Sequence, residues 1–387
     1  LGIDMTTGTG WCFGGPNVPE SEASFFLFPR AADVPVNPGP WTLAVPRGER
    51  IVAAVAVGPD GQRVSIDDRV SPAGVVNWSP PSSGWRIAFA TGHTGIQVKR
   101  AAPGGEGFMI NPVYPDAMRN YLDRFTRAFA PSGLLRPRAM YHDSYEYYMG
   151  ISVGGEWSPD FMGQFARLRG YSLAEKLPEL AGLGDPDLVA RVRSDYRETV
   201  SDLMIDKVFS QWVDWCRRRG IQTRNQAHGA PASILDFYAI TDIPECEGTD
   251  ERAKLASSAA HVMGRRLVSC ESCTWLDEHF NETFDAIKRT VDYQMVRGVN
   301  HIFYHGCVYS PDDAAWPGWL FYASTEMNPR NPLWREAPAL NGYIARVQSV
   351  LQSGAPDDAG VLLYIGLYDL WHDGKNFAIR KGAVWAS

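Results

Sequence analysis

The sequence predicts an α/β fold, an eight-stranded (β/α)8 TIM-like barrel interrupted by a small antiparallel β domain, and three observations carry that expectation. Short apolar runs alternate with helical patterns over most of the chain, which is the texture of a parallel sheet. There are about eight such runs, which favours a closed barrel over an open doubly wound sheet. One block, residues 25–106, breaks the alternation and reads FFLF, TLAVP, RIVAAVAVG, QRVSI, GVVNW, WRIAFAT and IQVKR between Pro, Gly and Asp, the pattern of an antiparallel meander.

In order, residues 1–24 supply a first strand, Gly2-Ile3-Asp4-Met5, and a glycine-rich loop, TTGTGWCFGGP. Residues 25–106 are the inserted β domain, 107–372 the rest of the barrel, and 373–387 an atypical tail. The barrel runs are GFMIN (107–111), RAMYH (138–142), IQTRN (221–225), AITDI (239–243), RLVSC (266–270), NHIFYH (300–305) and VLLYIG (361–366). Met118, Tyr121, Leu122, Phe125 and Phe129 share one face of a helix over 115–130. Ser158-Pro159 and Asp185-Pro186 look like N-caps with proline in the first turn, Gly170 and Gly220 like left-handed ends, and Asn281 and Gly298 bracket another helix. A long helix is expected over about 186–219, closed by Arg217, Arg218 and Arg219, which complement its dipole.

With 37 basic and 44 acidic side chains the net charge is -7, spread without long runs, so there is no basic footprint for nucleic acid. No apolar run is long enough to cross a bilayer, and no signal peptide is visible. A start at Leu1 without an initiator methionine is expected of a piece of a longer protein. Six scattered cysteines are too few for a disulfide scaffold, and Cys270-x-x-Cys273 has no second pair with which to build a zinc site.

In a (β/α) barrel the chemistry sits at the C-terminal strand ends. Here those ends read HDSYEYY with Asp143 and Glu146, NQAHG with Asn225, Gln226 and His228, PECEG with Glu245 and Glu247, CESCTW with Glu271 and Trp275, and YHGCVYS with His305. Carboxylates on facing strand ends fit glycosidic bond cleavage, where one protonated carboxyl serves the leaving oxygen and a second carboxylate stands opposite. Glu146 and Glu271, three strands apart, are the natural pair. A gap of about 6.5–9.5 Å would mean inversion and about 5–5.5 Å retention, and spacing along the sequence does not choose. Asp143 positions substrate or metal, or caps a loop. Glu245 and Glu247 are open as hard-cation ligands, although no contiguous calcium loop is present. His228 and His305 read as hydrogen-bonding barrel residues, and Trp275, Trp316 and Trp319 as core or sugar platforms.

The stretches DMTTGTGWCFGGPNV (4–18), YHDSYEYY (141–148), RVRSDYRETVSDL (191–203), TRNQAHGAPASILDFYA (223–239), IPECEG (243–248), ASSAAHVMGRRLVSCESCTW (256–275) and GVNHIFYHGCVYSPDDAAWPGWLFYAST (298–325) resemble glycoside hydrolase family 106, the α-L-rhamnosidases. The resemblance implies a barrel enzyme that hydrolyses terminal α-L-rhamnosides of glycosides or polysaccharides with inversion, in the periplasm or outside the cell. It implies Glu146 as general acid and Glu271 as general base, with Asp143, Asn225, His228, Trp275 and His305 around the sugar. Calcium is the implied cofactor, with Glu247 as its ligand. The alternatives are a barrel glycosidase for another sugar and an inactive carbohydrate-binding fragment; the tail after Trp371-His372 is unlike the family.

Overall fold

The computed structural model describes residues 2–35, 41–129, 136–145, 155–249, 251–276, 280–306 and 308–354. Glu146, the 361–366 run and the 373–387 tail lie outside them.

Six strands run parallel in sequence order: Asp4–Thr6, Ala139–His142, Gln222–Gln226, Ile243–Glu247, Ser269–Ser272 and His301–Tyr304. Every neighbouring pair is parallel, with Asp4 opposite Ala139, Tyr141 opposite Arg224, Gln226 opposite Glu245, and Glu247 opposite Glu271 and so on to Phe303. The sheet curls as a half barrel, with helices on its outer side, among them Pro115–Phe129, Glu251–Val262 and Phe284–Val296. Side chains alternate across a strand, so one set enters the curl and the next packs on the helices. Arg224 and Gln226, Glu245 and Glu247, Ser269 and Glu271, and Phe303 and His305 form the inner set.

The inner set contains an ionic layer. Arg224 is 2.6 Å from Asp4 and 2.7 Å from Glu245, and its guanidinium lies 4.0 Å from the Tyr141 ring centre and 3.8 Å from that of Phe303. Arg138 forks onto both oxygens of Asp4 at 2.8 and 2.5 Å. Burial raises the Asp4 carboxyl, but the two arginines outweigh it and hold the group below its usual range. Glu245 accepts from Ser269 Oγ at 2.5 Å and has no exposure, so this carboxylate belongs to the sheet interior.

Four strands of a second sheet lie in sequence between the first two parallel strands, and its fifth, Gly155–Glu156, follows the second. Its order is Gly155–Glu156, Phe25–Asp33, Arg86–Thr94, Arg50–Val57 and Arg63–Ser65, all antiparallel. This is not the expected meander: the first strand of the block pairs with its last, because Phe25–Asp33 and Arg86–Thr94 match over nine residues. One face, with Leu27, Ala53, Val55, Ala88 and Ala90, joins the main core; the other packs Ile66, Trp85, Ile87 and Phe89 in a core of its own. Arg63 grips buried Glu179 with two hydrogen bonds, at 2.9 and 2.5 Å, tying the sheet to the helix Leu177–Leu180.

Other expectations need correction. GFMIN gives only Phe108–Met109, which pairs antiparallel with Gly14–Gly15 outside the parallel sheet. AITDI spans a helix end and a turn; the helix is Ile234–Ala239 and the strand starts at Ile243, because a short apolar run does not by itself tell helix from strand. The long helix is three pieces, α over Pro186–Asp202, π over Leu203–Phe209 and α over Ser210–Arg217. Leu203, Met204, Ile205, Val208 and Phe209 are all buried, too dense a run for one stripe of a 3.6-residue helix. Asp185 caps as expected, accepting from Asp187 N and Leu188 N. The helix expected at Ser158 begins at Phe161 with Asp160 as its cap residue, and the one at Asn281 begins at Phe284, capped by the Thr283 side chain.

Candidate active site

A cavity of about 500 Å³ opens at the C-terminal ends of the parallel strands. Asp143, Gln226, Glu247, Glu271 and His305 line its floor, and Thr6, Trp11, Arg100, Thr274, Phe321 and Tyr322 its walls. The size suits a ligand of more than one ring, since pockets of about 300–1,000 Å³ bury drug-sized molecules.

Glu271 is the most closely held carboxylate. Gln226 Nε2 donates to its Oε2 at 2.7 Å, Thr274 Oγ1 to its Oε1 at 3.0 Å, and Tyr141 Oη reaches Oε2 at 3.4 Å. His305 Nε2 stands 3.6 Å from Oε1, while its Nδ1, 2.6 Å from the Ala323 carbonyl oxygen, donates there and fixes the ring. Donors on both oxygens hold the carboxyl group in one orientation. Asp143 is the opposite case. Burial and the charge of Glu271 push its carboxyl well above the usual range, against a single donor, Ser144 N, at 2.7 Å. The cavity therefore sets a carboxyl group oriented by donors, Glu271, beside one whose surroundings raise it, Asp143.

Glu247 also lines the cavity. Its Oε2 is 3.2 Å from His228 Nε2 and 3.3 Å from Arg252 Nη1, whereas none of the described residues donates to its Oε1. Among the described residues no three His, Cys, Asp or Glu side chains are grouped as a metal cage. Toward a hard cation this lining offers one carboxylate oxygen with no described donor, Glu247 Oε1.

The loop after the first strand closes one side. Thr7 N donates to Tyr141 O at 2.9 Å, Trp11 N to Lys99 O at 2.8 Å, and Trp11 Nε1 to Ser144 Oγ at 3.1 Å. A Cβ at Gly10 would stand 2.5 Å from the Lys99 carbonyl oxygen, so this approach of two backbones needs glycine.

Of the residues expected here, Asp143, Glu247, Glu271 and His305 converge on the cavity. Asn225 does not: its Oδ1 is 2.8 Å from His142 Nδ1 and its Nδ2 reaches the Phe237 carbonyl, on the helix side of the sheet. His228 is fully buried with its Nε2 3.2 Å from Glu247, and Trp275 packs against the core cluster that contains Ile287, Val291 and Met295 and does not line the cavity. Trp316 and Trp319 are exposed, which removes the core reading for both. Cys270 and Cys273 are buried thiols, not a disulfide, and burial raises both, Cys273 to about 12. Gln226 belongs among the site residues; alternation with buried Asn225 was its signal. Arg100, Thr6 and Tyr322 come from distant segments and left none.

The model of glycoside hydrolase family 106, α-L-rhamnosidase, matches residues 44–369. The chain belongs to that family. A rhamnosidase from Novosphingobium sp. PP1Y superposes with a TM-score of 0.61 at 25% identity, over 78% of this chain and 31% of that one. A protein of Formosa agariphila, provisionally named a β-glucuronidase, is 30% identical over 336 residues, which are 82% of this chain and 28% of that protein. This family member thus spans about three-tenths of the length of either relative. No helix among its described residues is long and apolar enough to cross a membrane.

Proposed function

We propose that this chain hydrolyses terminal α-L-rhamnosides, with Glu271 as the base that activates water. The observation that carries the reading is Glu271 itself, oriented on both oxygens at the floor of a strand-end cavity in a family 106 chain. In this scheme an acid protonates the glycosidic oxygen while Glu271 takes a proton from a water that attacks the anomeric carbon from the opposite face, inverting it. Glu146, which follows the strand Ala139–His142 in sequence, is the proposed acid. Asp143 is a second reading for the same role, favoured by surroundings that raise its carboxyl above the usual range.

Calcium, bound through Glu247 Oε1, would hold the sugar's hydroxyls. Loss of activity with a chelator and recovery with added calcium tests that part separately. The remaining barrel strands, the standing of residues 25–106 as an inserted domain, a polysaccharide substrate and a place outside the cytoplasm belong to the same proposal.

The test is release of rhamnose from aryl and alkyl α-L-rhamnosides beside an aryl β-glucuronide. Glu271→Gln should lose about 10²–10⁴-fold on every rhamnoside. The variant of the true acid, Glu146→Gln or Asp143→Asn, should fail on alkyl leaving groups yet retain activity on an acidic aryl one, which departs without a proton. NMR of the first-formed anomer reads inversion directly. Cleavage of the glucuronide alone would overturn the sugar assignment.

A further inference from the structure

The cavity floor carries the carboxylates Glu247 and Glu271, but its wall carries a cation, Arg100, that pairs with neither. Arg100 lines the cavity with its guanidinium 4.3 Å from the ring centre of Tyr322, and no carboxylate among the described residues pairs with it. Its backbone is left-handed, at φ 55°, a conformation that side chains other than Asn, Asp or Gly rarely adopt. Strain of this kind persists where the surroundings over-determine it, and here the preceding carbonyl, on Lys99, is pinned by Trp11 N at 2.8 Å. A stacked guanidinium with its donors open is suited to a carboxylate or sulfate, which it meets with two parallel hydrogen bonds.

The opposite charges lining the cavity also dictate which part of a substrate bears the anion. An anion on the sugar being released would sit among the floor carboxylates and be repelled, whereas a neutral sugar fits there. We propose that Arg100 selects substrates whose neighbouring sugar, the one left behind, carries a carboxylate or a sulfate ester. This rests on the rhamnosidase reading above and adds a substrate class to it.

The test uses three rhamnosyl disaccharides identical except at C6 of the second sugar, which is a carboxylate, a sulfate ester or a neutral hydroxymethyl. Rhamnose release gives kcat/KM, and calorimetry on Glu271→Gln gives affinity without turnover. At least one anionic disaccharide should exceed the neutral one by about tenfold in both, a preference that shrinks with added salt because Arg100 is exposed. The anion preferred identifies the group. Arg100→Ala should cost the preferred anionic substrate about ten times more than the neutral one, and Arg100→Lys should return part of the difference. Equal affinity for all three disaccharides, or equal losses in Arg100→Ala, would overturn the proposal. Affinities ranked as expected without release of rhamnose would instead overturn the rhamnosidase reading and leave anion recognition by Arg100 standing.

Discussion

Gln226 and Glu271 meet across an intervening strand, Gln226 Nε2 donating to Glu271 Oε2 at 2.7 Å above the inward face of Ile243–Glu247. The amide adds no charge, so it orients the carboxylate chiefly through direction. Gln226→Ala is expected to lower kcat by about 10²-fold with little change in KM, since a misplaced reacting group loses rate more than ground-state binding. Gln226→Glu should do more, setting a second carboxylate against Glu271 and moving the acid limb of the pH–rate profile upward. An unaltered profile in Gln226→Glu would show that Glu271 does not set that limb.

Asp143 supplies a stability test. Its carboxyl is raised in the folded chain, by burial first and by Glu271 second, so the folded state keeps a proton that the unfolded state gives up near pH 3.9. The stabilisation is therefore complete below the unfolded value and lost as pH rises through the folded one. Asp143→Asn, always neutral, should unfold at a higher urea concentration than wild type at neutral pH and show no such advantage near pH 3.5. Parallel curves for the two proteins across that range would contradict a raised Asp143.

Arg224 holds two acids, Asp4 at 2.6 Å and Glu245 at 2.7 Å, between the rings of Tyr141 and Phe303. Removing one member of a buried set strands the others, at a cost of roughly 3–5 kcal/mol. Arg224→Met should lose stability on that scale in denaturant titration. Adding Glu245→Gln to Arg224→Met should recover part of the loss, because one stranded charge is then gone. A double variant as unstable as the sum of the singles would mean the pair is not coupled.

Much of this site was legible because strand-end position and residue type agree. The ends of 139–142, 243–247, 269–272 and 300–305 brought Asp143, Glu247, Glu271 and His305 together, as barrel logic requires. Asn225, His228 and Trp275 failed for a different reason: proximity to a strand end does not say which face a side chain takes. The period-two alternation that carries Arg224 and Gln226 inward turns Asn225 towards the helices. Glu245 was open as a hard-cation ligand from its strand-end position and Asp4 carried no signal; both are held by Arg224, whose place between them no spacing reveals. The fold was legible in its parallel order, and less so where glycines matter: Phe108–Met109 follows Gly14–Gly15 instead of the parallel sheet. Arg100 had no signal at all, since its meaning comes from Tyr322, more than two hundred residues away in sequence.

His142 lies on the helix side of its strand, packed with Phe13, Tyr145, Phe209, Trp212 and Phe237, and its Nδ1 is 2.8 Å from Asn225 Oδ1. Burial lowers the ring to about 4, outweighing the Asn225 contact. The unfolded chain takes up this proton near pH 6.5 while the folded chain refuses it until about 4. Stability is thus full above 6.5 and falls as pH drops towards 4, by about 3 kcal/mol from this ring at roughly 1.4 kcal/mol per unit. His301, also lowered to about 4, adds to the same slope. His142→Phe keeps an aromatic in the cage and removes the proton site, so its denaturation midpoint should vary less between pH 6.5 and 4 than that of wild type, whatever its absolute stability. Asn225→Ala should likewise disturb stability and leave KM for a rhamnoside nearly unchanged, because its side chain never enters the cavity. A large rise in KM in Asn225→Ala would place that amide back at the sugar.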